Sequence, residues 1–434
     1  MVNDFRACYL GPTGVGRFDS GALLIVWCWA YSVLPAAVSV LADGTASGAV
    51  SGANHDIITT GFWFQGIRFV CIAGLALSGI QIIMGGLANN RRFSWSALLP
   101  LMLVGTTIAV DILTHRSVSS MQMYGLLVAT VCLFADCTEA TIRSVALCTV
   151  LTAAISVGLG LEGGGLASNW TTGLDKSVLG ITPLAGPFSH PNNLGCALAL
   201  GLPFIISIRD NGCRMVSFLF VAFTLLLTAS RISIFAAVMA VVIVPIITQP
   251  RGTPRFRRVC FVGAVIIAAM TPFIGFSDGF LTNRGWIWRV TREALASHWL
   301  FGVGDGAFHA GGDVTERLNG FAAFTAHNTI LTQVARGGLL AGLLLVGLLL
   351  MASVIAASQS DRILQALTGS IISLVIICSA EGVSFDRFGG YAWGIILPLY
   401  FLLPQLDQRQ SKPQIPSSLA SSELDHIPLH NPVR

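Results

Sequence analysis

The chain has 434 residues, 54% of them hydrophobic and only 11% charged, and its mean hydropathy is +0.74. Soluble domains carry roughly 25% charged residues, so an ordinary water-facing surface is excluded and a polytopic membrane protein is expected. The formal net charge of +4 is small; it reports orientation better than partners, and no nucleic acid is expected among those partners.

Backbone groups in hydrocarbon must pair internally, which selects helices, and about 20 apolar residues cross the bilayer as one helix. The ~10-residue alternating segments of a membrane barrel do not appear. The fold expected is therefore an all-α transmembrane bundle. Residues 1–20 are polar and read as a cytoplasmic N-terminus. The run after them lacks a clear cleavage site and reads as a membrane span, not a cleaved signal peptide. In chain order, about twelve spans are expected, near 21–42, 64–88, 95–114, 118–135, 144–161, 192–208, 215–230, 232–249, 259–276, 338–357, 364–381 and 390–404. No internal repeat stands out.

Short loops set the orientation. Arg91 and Arg92, Arg209 and Arg214, then Arg251, Arg255, Arg257 and Arg258, and finally Arg362 fall on one side of a twelve-span chain. The positive-inside rule makes that side the cytoplasm and places both termini there. The tail from Gln405 to Arg434, rich in Ser, Pro and Gln, reads as disordered. The ten cysteines lie in spans or near their cytoplasmic ends and read as small buried hydrophobes. None has zinc-ligand spacing, and no metal site is expected.

Two long loops face the other side, Glu162 to Pro191 and 277–337. The second contains Trp286, Trp288, Trp299 and Phe301, too many aromatics for a disordered segment. Its spacing of Ile287, Val290, Ala294, Leu295 and Trp299 predicts an amphipathic helix over 285–299 at the membrane surface.

The residues able to carry chemistry gather on that side. Arg231 follows Ser230 at a break between two apolar runs, where it is either a snorkelling helix-end arginine or an anion ligand. Arg284 opens the surface helix, followed by Arg289 and Arg292. Arginine suits bidentate phosphate recognition, though anionic headgroups would also attract the latter two. His327 stands beside Asn328 at a helix start and is a candidate base near pH 7. His190, in Phe-Ser-His-Pro-Asn-Asn, is a helix cap or a site residue. Gly302-Val-Gly-Asp-Gly306 reads as a turn, since it lacks the strand–loop–helix context of a phosphate loop. Arg68 and Asp111 lie inside spans, where any ionisable residue is a functional candidate. Glu381, Asp386 and Arg387 cluster in the last loop on this side, placed to pair with one another or with loop arginines.

Five segments together carry a resemblance: Gly-Pro-Phe-Ser-His-Pro-Asn-Asn-Leu-Gly (186–195), Leu-Thr-Ala-Ser-Arg (227–231), Asn-Arg-Gly-Trp-Ile-Trp (283–288), Leu-Phe-Gly-Val-Gly-Asp-Gly-Ala-Phe (300–308) and Ala-His-Asn-Thr-Ile-Leu (326–331). In order and spacing the set resembles the O-antigen ligase and polymerase family, over roughly residues 180–350. The resemblance implies a multi-pass glycosyltransferase of the bacterial cytoplasmic membrane, with its site on the outer face. It implies a glycan donor on undecaprenyl diphosphate, a lipid or growing glycan as acceptor, contact with membrane lipids, and no metal, nucleotide or other cofactor. It assigns Arg231 and Arg284 to the diphosphate and His327 to activation of the acceptor hydroxyl. Arg289, Arg292, Arg336, His190 and Asn328 are expected to support substrate binding. The chain departs from the family at Arg336, where many members carry an acid nine positions after the histidine. The resemblance therefore carries over no acidic partner for His327 at that position, and Arg336 is expected there as a third phosphate-binding charge. Ligase and polymerase are not separated by these motifs. A transporter or flippase of lipid-linked sugars is the alternative of another class; related halves and mid-membrane charges would mark it.

Overall fold

The computed structural model describes residues 19–43, 61–89, 95–161, 182–248, 253–281, 283–308, 311–318, 325–359, 361–387, 394 and 396–410. Among these the chain is helical and contains no β-strand. The helices are α1 (Ser20–Asp43), α2 (Phe62–Ala88), α3 (Leu99–Leu113), α4 (Ser120–Phe134), α5 (Glu139–Leu161), α6 (Pro191–Gly201), α7 (Asn211–Leu227), α8 (Arg231–Ile247), α9 (Pro254–Met270), α10 (Arg284–Leu295), α11 (Asp313–Arg317), α12 (Thr329–Ser358), α13 (Asp361–Ala380) and α14 (Leu397–Gln410).

Seven helical segments are long and apolar enough to cross a membrane: 20–42, 62–88, 95–113, 139–161, 254–273, 329–358 and 362–380. Five shorter apolar helices stand among them, at 120–134, 191–207, 211–227, 231–247 and 397–406. Each predicted apolar run meets a helix, and seven of them reach spanning length. Large apolar side chains cover the exterior, among them Phe69, Leu77, Val216, Val259, Ile267 and Leu343. An exterior of that kind belongs to a helical membrane protein.

Local signals explain the helix starts. Ser119 and Gln122 form a capping box on α4, and Asp210 and Thr253 cap α7 and α9 through backbone N–H groups three residues on. Pro191 and Pro254 occupy first-turn positions where no N–H is needed. Inside the bundle, small residues let helices approach closely. Gly195 of α6 lies against Ser230 at the head of α8, and Gly201 lies against Thr149 of α5. Helices α1 and α2 pack together, as do α3 and α12, α8 and α13, and α12 and α13.

Two elements differ from the sequence expectation. The helix placed at 338–357 begins at Thr329. Its first turns hold Thr332, Gln333 and Arg336, too polar for a hydropathy reading, yet all are buried in protein. The predicted tail from Gln405 stays helical through Gln410; the stretch 411–434 lies outside the described residues, as do 1–18, most of the 162–191 loop, and Arg91, Arg92 and Arg251.

The predicted surface helix is present as α10, with one face apolar. That face is filled by protein. Ile287, Trp288, Val290, Ala294 and Leu295 share a small core with Val303, Phe308, Val314 and Leu318, and with Leu331, Val334 and Ala335 of α12. The described part of the loop is thus a cap packed on the head of α12. A break in α12 anchors it. Gly338 adopts φ 74° and ψ −175°, a conformation open to glycine, so the helical bond from Leu339 N to Ala335 O is lost. Leu339 N donates instead to Trp299 O at 2.8 Å, and Ala335 O accepts from Val303 N at 2.7 Å and Gly304 N at 2.9 Å. The glycine run 302–306 is therefore a turn that satisfies the broken helix.

Candidate active site

Glu381 lies just beyond α13 and is the hub of the site. Its backbone is fixed from two sides: Glu381 N donates to Ile377 O, and its carbonyl accepts from Thr329 Oγ1 at 2.9 Å. Thr329 Oγ1 in turn accepts from Val383 N at 2.9 Å. The first turn of α12 therefore sets where the Glu381 side chain points.

The two carboxylate oxygens serve different partners. Oε1 accepts from Arg284 Nη2 and, at 3.4 Å, from Asn192 Nδ2. Oε2 lies 3.1 Å from His327 Nδ1. Burial opposes the carboxylate charge, but the His327 hydrogen bond and charge, Arg284 and His190 outweigh it and hold the carboxyl below its ordinary value. Glu381 is thus an ionised, buried acid in a positive surround.

Arg284 is held at all three nitrogens. Nε donates to Ala380 O at 2.5 Å, Nη1 to Leu281 O at 2.8 Å, and Nη2 to Glu381. It covers the last carbonyls of α13, where a cation is favoured by the helix dipole.

His327 occupies the left-handed region, φ 48°, a conformation that costs roughly 1 kcal/mol or more for a side-chain-bearing residue and recurs at functional sites. Thr325 Oγ1 accepts its backbone N–H at 3.1 Å. Asn328 follows as the cap of α12: its side-chain oxygen accepts from Leu331 N, and its amide donates to Ala268 O and Ser379 O, each at 3.3 Å. Asn328 is fully buried, so it ties α9, α12 and α13 together beneath the histidine. An ionised carboxylate only accepts hydrogen bonds. In the neutral ring the Nδ1 proton therefore faces Glu381, and Nε2 carries the free lone pair. The side chain is 33% exposed, enough for a substrate to reach it.

The remaining expected site residues take several places. His190 caps α6, its Nδ1 accepting from Asn192 N at 2.9 Å, and so presents Asn192 to Glu381. Arg231 opens α8 at the same end of the bundle and is exposed. Among the described residues no hydrogen bond or ion pair engages its guanidinium. Its approach is rigid: Ala229 sits at φ 50°, and Thr228 Oγ1 accepts from Ser230 N at 3.2 Å. Arg292 donates to Pro272 O. Arg289 is at the surface, pairing bidentately with Asp278 at 2.7 and 3.1 Å and with Glu293 at 3.2 Å. Those bonds hold the Asp278 carboxyl below its usual value.

Arg336 lies in a second, buried cluster. Its Nη1 donates to Ser384 Oγ at 2.9 Å and approaches Asp386 Oδ1 at 3.5 Å. Burial pushes the Asp386 carboxyl up, with Arg336 opposing. Nearby Asp111 accepts from Gln122 Nε2 at 2.7 Å. Burial pushes Arg387 down to about 10, with Asp111 opposing. Arg336 thus ties the first turns of α12 to the loop that carries Glu381.

Sequence reasoning named Glu381 only as a loop acid and missed Asn192 and Thr329. The acid beside His327 in this structure is Glu381, in the loop that follows α13. Among the described residues no cluster of three or more His, Cys, Asp or Glu could hold a metal. Searches against known families and curated proteins find no match to this chain.

Proposed function

We propose that this chain is a membrane glycosyltransferase of the O-antigen ligase and polymerase type. It moves a glycan from an undecaprenyl-diphosphate-linked donor to a hydroxyl of a lipid-linked or growing glycan acceptor. The observation that carries this reading is the junction of His327 and Arg284 on the two oxygens of Glu381.

His327 Nε2 takes the acceptor hydroxyl proton, and Glu381 steadies the imidazolium that forms. The acceptor oxygen bonds to the anomeric carbon as the carbon–oxygen bond to the diphosphate breaks. The electron pair leaves on the diphosphate, where guanidinium groups stabilise the growing charge. Arg231, unpaired among the described residues, is a cation open to this task, and Arg284 is held beside the base. One displacement inverts the anomeric configuration. No metal, nucleotide or other cofactor takes part in this scheme. The leaving group remains on a lipid, which accounts for a site built at the end of membrane helices.

The basic residues Arg214, Arg257 and Arg258 lie at helix ends opposite to His327, where Arg257 bonds Ile247 O and Arg258 bonds Ser358. This distribution supports a cytoplasmic side at those ends and a site on the outer face of a bacterial inner membrane. Ligase and polymerase share this chemistry and differ in acceptor. The gathering of polar groups at one end favours an enzyme over a flippase. The test is glycan transfer in membranes carrying His327→Ala. Loss of transfer with normal insertion is expected; unchanged transfer removes the proposed base.

A further inference from the structure

Arg68 lies within a membrane-spanning helix, away from the site described above. It is the seventh residue of α2, about 9 Å along the axis from Phe62. Phe62 and Trp63 are exposed at the helix head, their rings edge to face at 5.6 Å, as in an interfacial aromatic belt. Phe69 and Val70, the next residues, are exposed apolar side chains. A guanidinium at this depth is costly unless it has an anion.

Among the described residues no anion faces this guanidinium. Arg68 Nε donates to Tyr31 Oη at 3.1 Å, and the guanidinium carbon lies 5.7 Å from the Tyr31 ring centre. Among the described residues no carboxylate pairs with it, and its two terminal nitrogens find no acceptor. Tyr31 is buried and packs edge to face with Tyr124 of α4 at 6.2 Å. The tyrosines therefore hold the guanidinium in a fixed pose while its outer fork stays open. That fork is the shape that receives two phosphate oxygens. The residue after Tyr124, Gly125, lies against the backbone of Asp386, in the loop that begins at Glu381. One helix thickness, about 10 Å, thus separates this groove from the loop of the site.

We infer that the groove between α1 and α2 at Arg68 binds the headgroup phosphate of a lipid in the leaflet beside the site. The ligand class is a phosphate-bearing lipid, either a membrane phospholipid or the carrier diphosphate itself. The inference does not need the proposed transfer activity, because it is read by binding.

The experiment is native mass spectrometry of the full chain loaded separately with phosphatidylglycerol, undecaprenyl diphosphate and a phosphate-free galactosyl diacylglycerol. Retention of a phosphate-bearing lipid over the neutral one is expected. Arg68→Gln should lower that retention about tenfold, and Arg68→Lys, which keeps the charge but lacks the fork, should fall between Arg68→Gln and the unaltered chain. Preference for undecaprenyl diphosphate assigns the groove to the carrier; equal retention of both phosphate lipids assigns it to membrane phospholipid. Photoreactive phosphatidylglycerol on the unaltered chain should mark Trp63 to Ile72. Wild-type retention in a folded Arg68→Gln protein, or labelling confined to other segments, overturns the inference.

Discussion

His327 and Glu381 meet at 3.1 Å across 54 residues of sequence, joining the head of α12 to the end of α13. The carboxylate is shared with Arg284, so base and cation answer to one acid. Replacing it by an isosteric amide should separate chemistry from packing. Glu381→Gln is expected to insert normally and to lower glycan transfer by roughly 100-fold. Glu381→Ala should also destabilise the protein, because it leaves the mostly buried Arg284 without its acid. Transfer assays and thermal midpoints in the same detergent distinguish the two effects.

The acid also predicts a pH response. Its folded pKa lies below the ordinary carboxylate value, so its stabilising effect is complete above that ordinary value and drains away as pH falls through the lower, folded one. The thermal midpoint should hold from neutral pH to about pH 5 and fall below about pH 4. Glu381→Gln should start lower and show a flatter acid limb. An identical limb in both proteins would assign the acid sensitivity elsewhere.

Backbone strain offers a control on the proposed base. Position 327 is left-handed, a conformation that asparagine tolerates better than alanine. His327→Asn should therefore be the more stable variant, yet both should lose transfer. Measured transfer in His327→Asn near the wild-type level would show that the imidazole is not the proton acceptor.

The arginines should divide by their surroundings. Arg289 is exposed and paired with Asp278 and Glu293, a pairing of little consequence at a surface. Arg289→Ala should keep transfer within about twofold. Arg231→Ala should cost at least about tenfold, because a charge-assisted contact to the diphosphate is lost. Arg336 belongs to stability. Arg336→Met removes the nearer of two cations from buried Asp386, leaving Arg387 at 4.0 Å, and should cost about 2–4 kcal/mol, while Arg336→Met with Asp386→Asn should recover part of that loss. Unfolding midpoints test both.

Much of the helical architecture was legible because long apolar runs have one economical fate in a bilayer. The reading failed where burial is in protein. Thr329, Thr332, Gln333 and Arg336 interrupt the hydropathy of the segment before Gly338, yet they sit inside the bundle, so hydropathy starts the apolar span at 338 although a helix start after Asn328 is expected. The site was half legible. Arg284 and His327 announce themselves by residue type and position at helix starts. Their link through Glu381 depends on how α12 packs against α13, and no local spacing reports that. Asn328 looked like a substrate ligand beside the histidine; its role as a cap and strap appears only with the three backbone partners of its side chain in view.

The interruption at Gly338 has a mechanical consequence. A β-carbon there would stand 1.9 Å from Leu300 O, so Gly338→Ala should destabilise by roughly 1–3 kcal/mol, readable as a lower thermal midpoint. The exchanged hydrogen bonds splice the cap into the shaft of α12 above the gap. Because Trp299 bonds one side of the break and Val303 and Gly304 the other, the cap that begins with Arg284 on α10 is fixed to α12 on both sides of position 338. Spacing between the guanidinium of Arg284 and the imidazole of His327 is therefore set twice, once by this bridged break and once by the carboxylate of Glu381 that both of them touch.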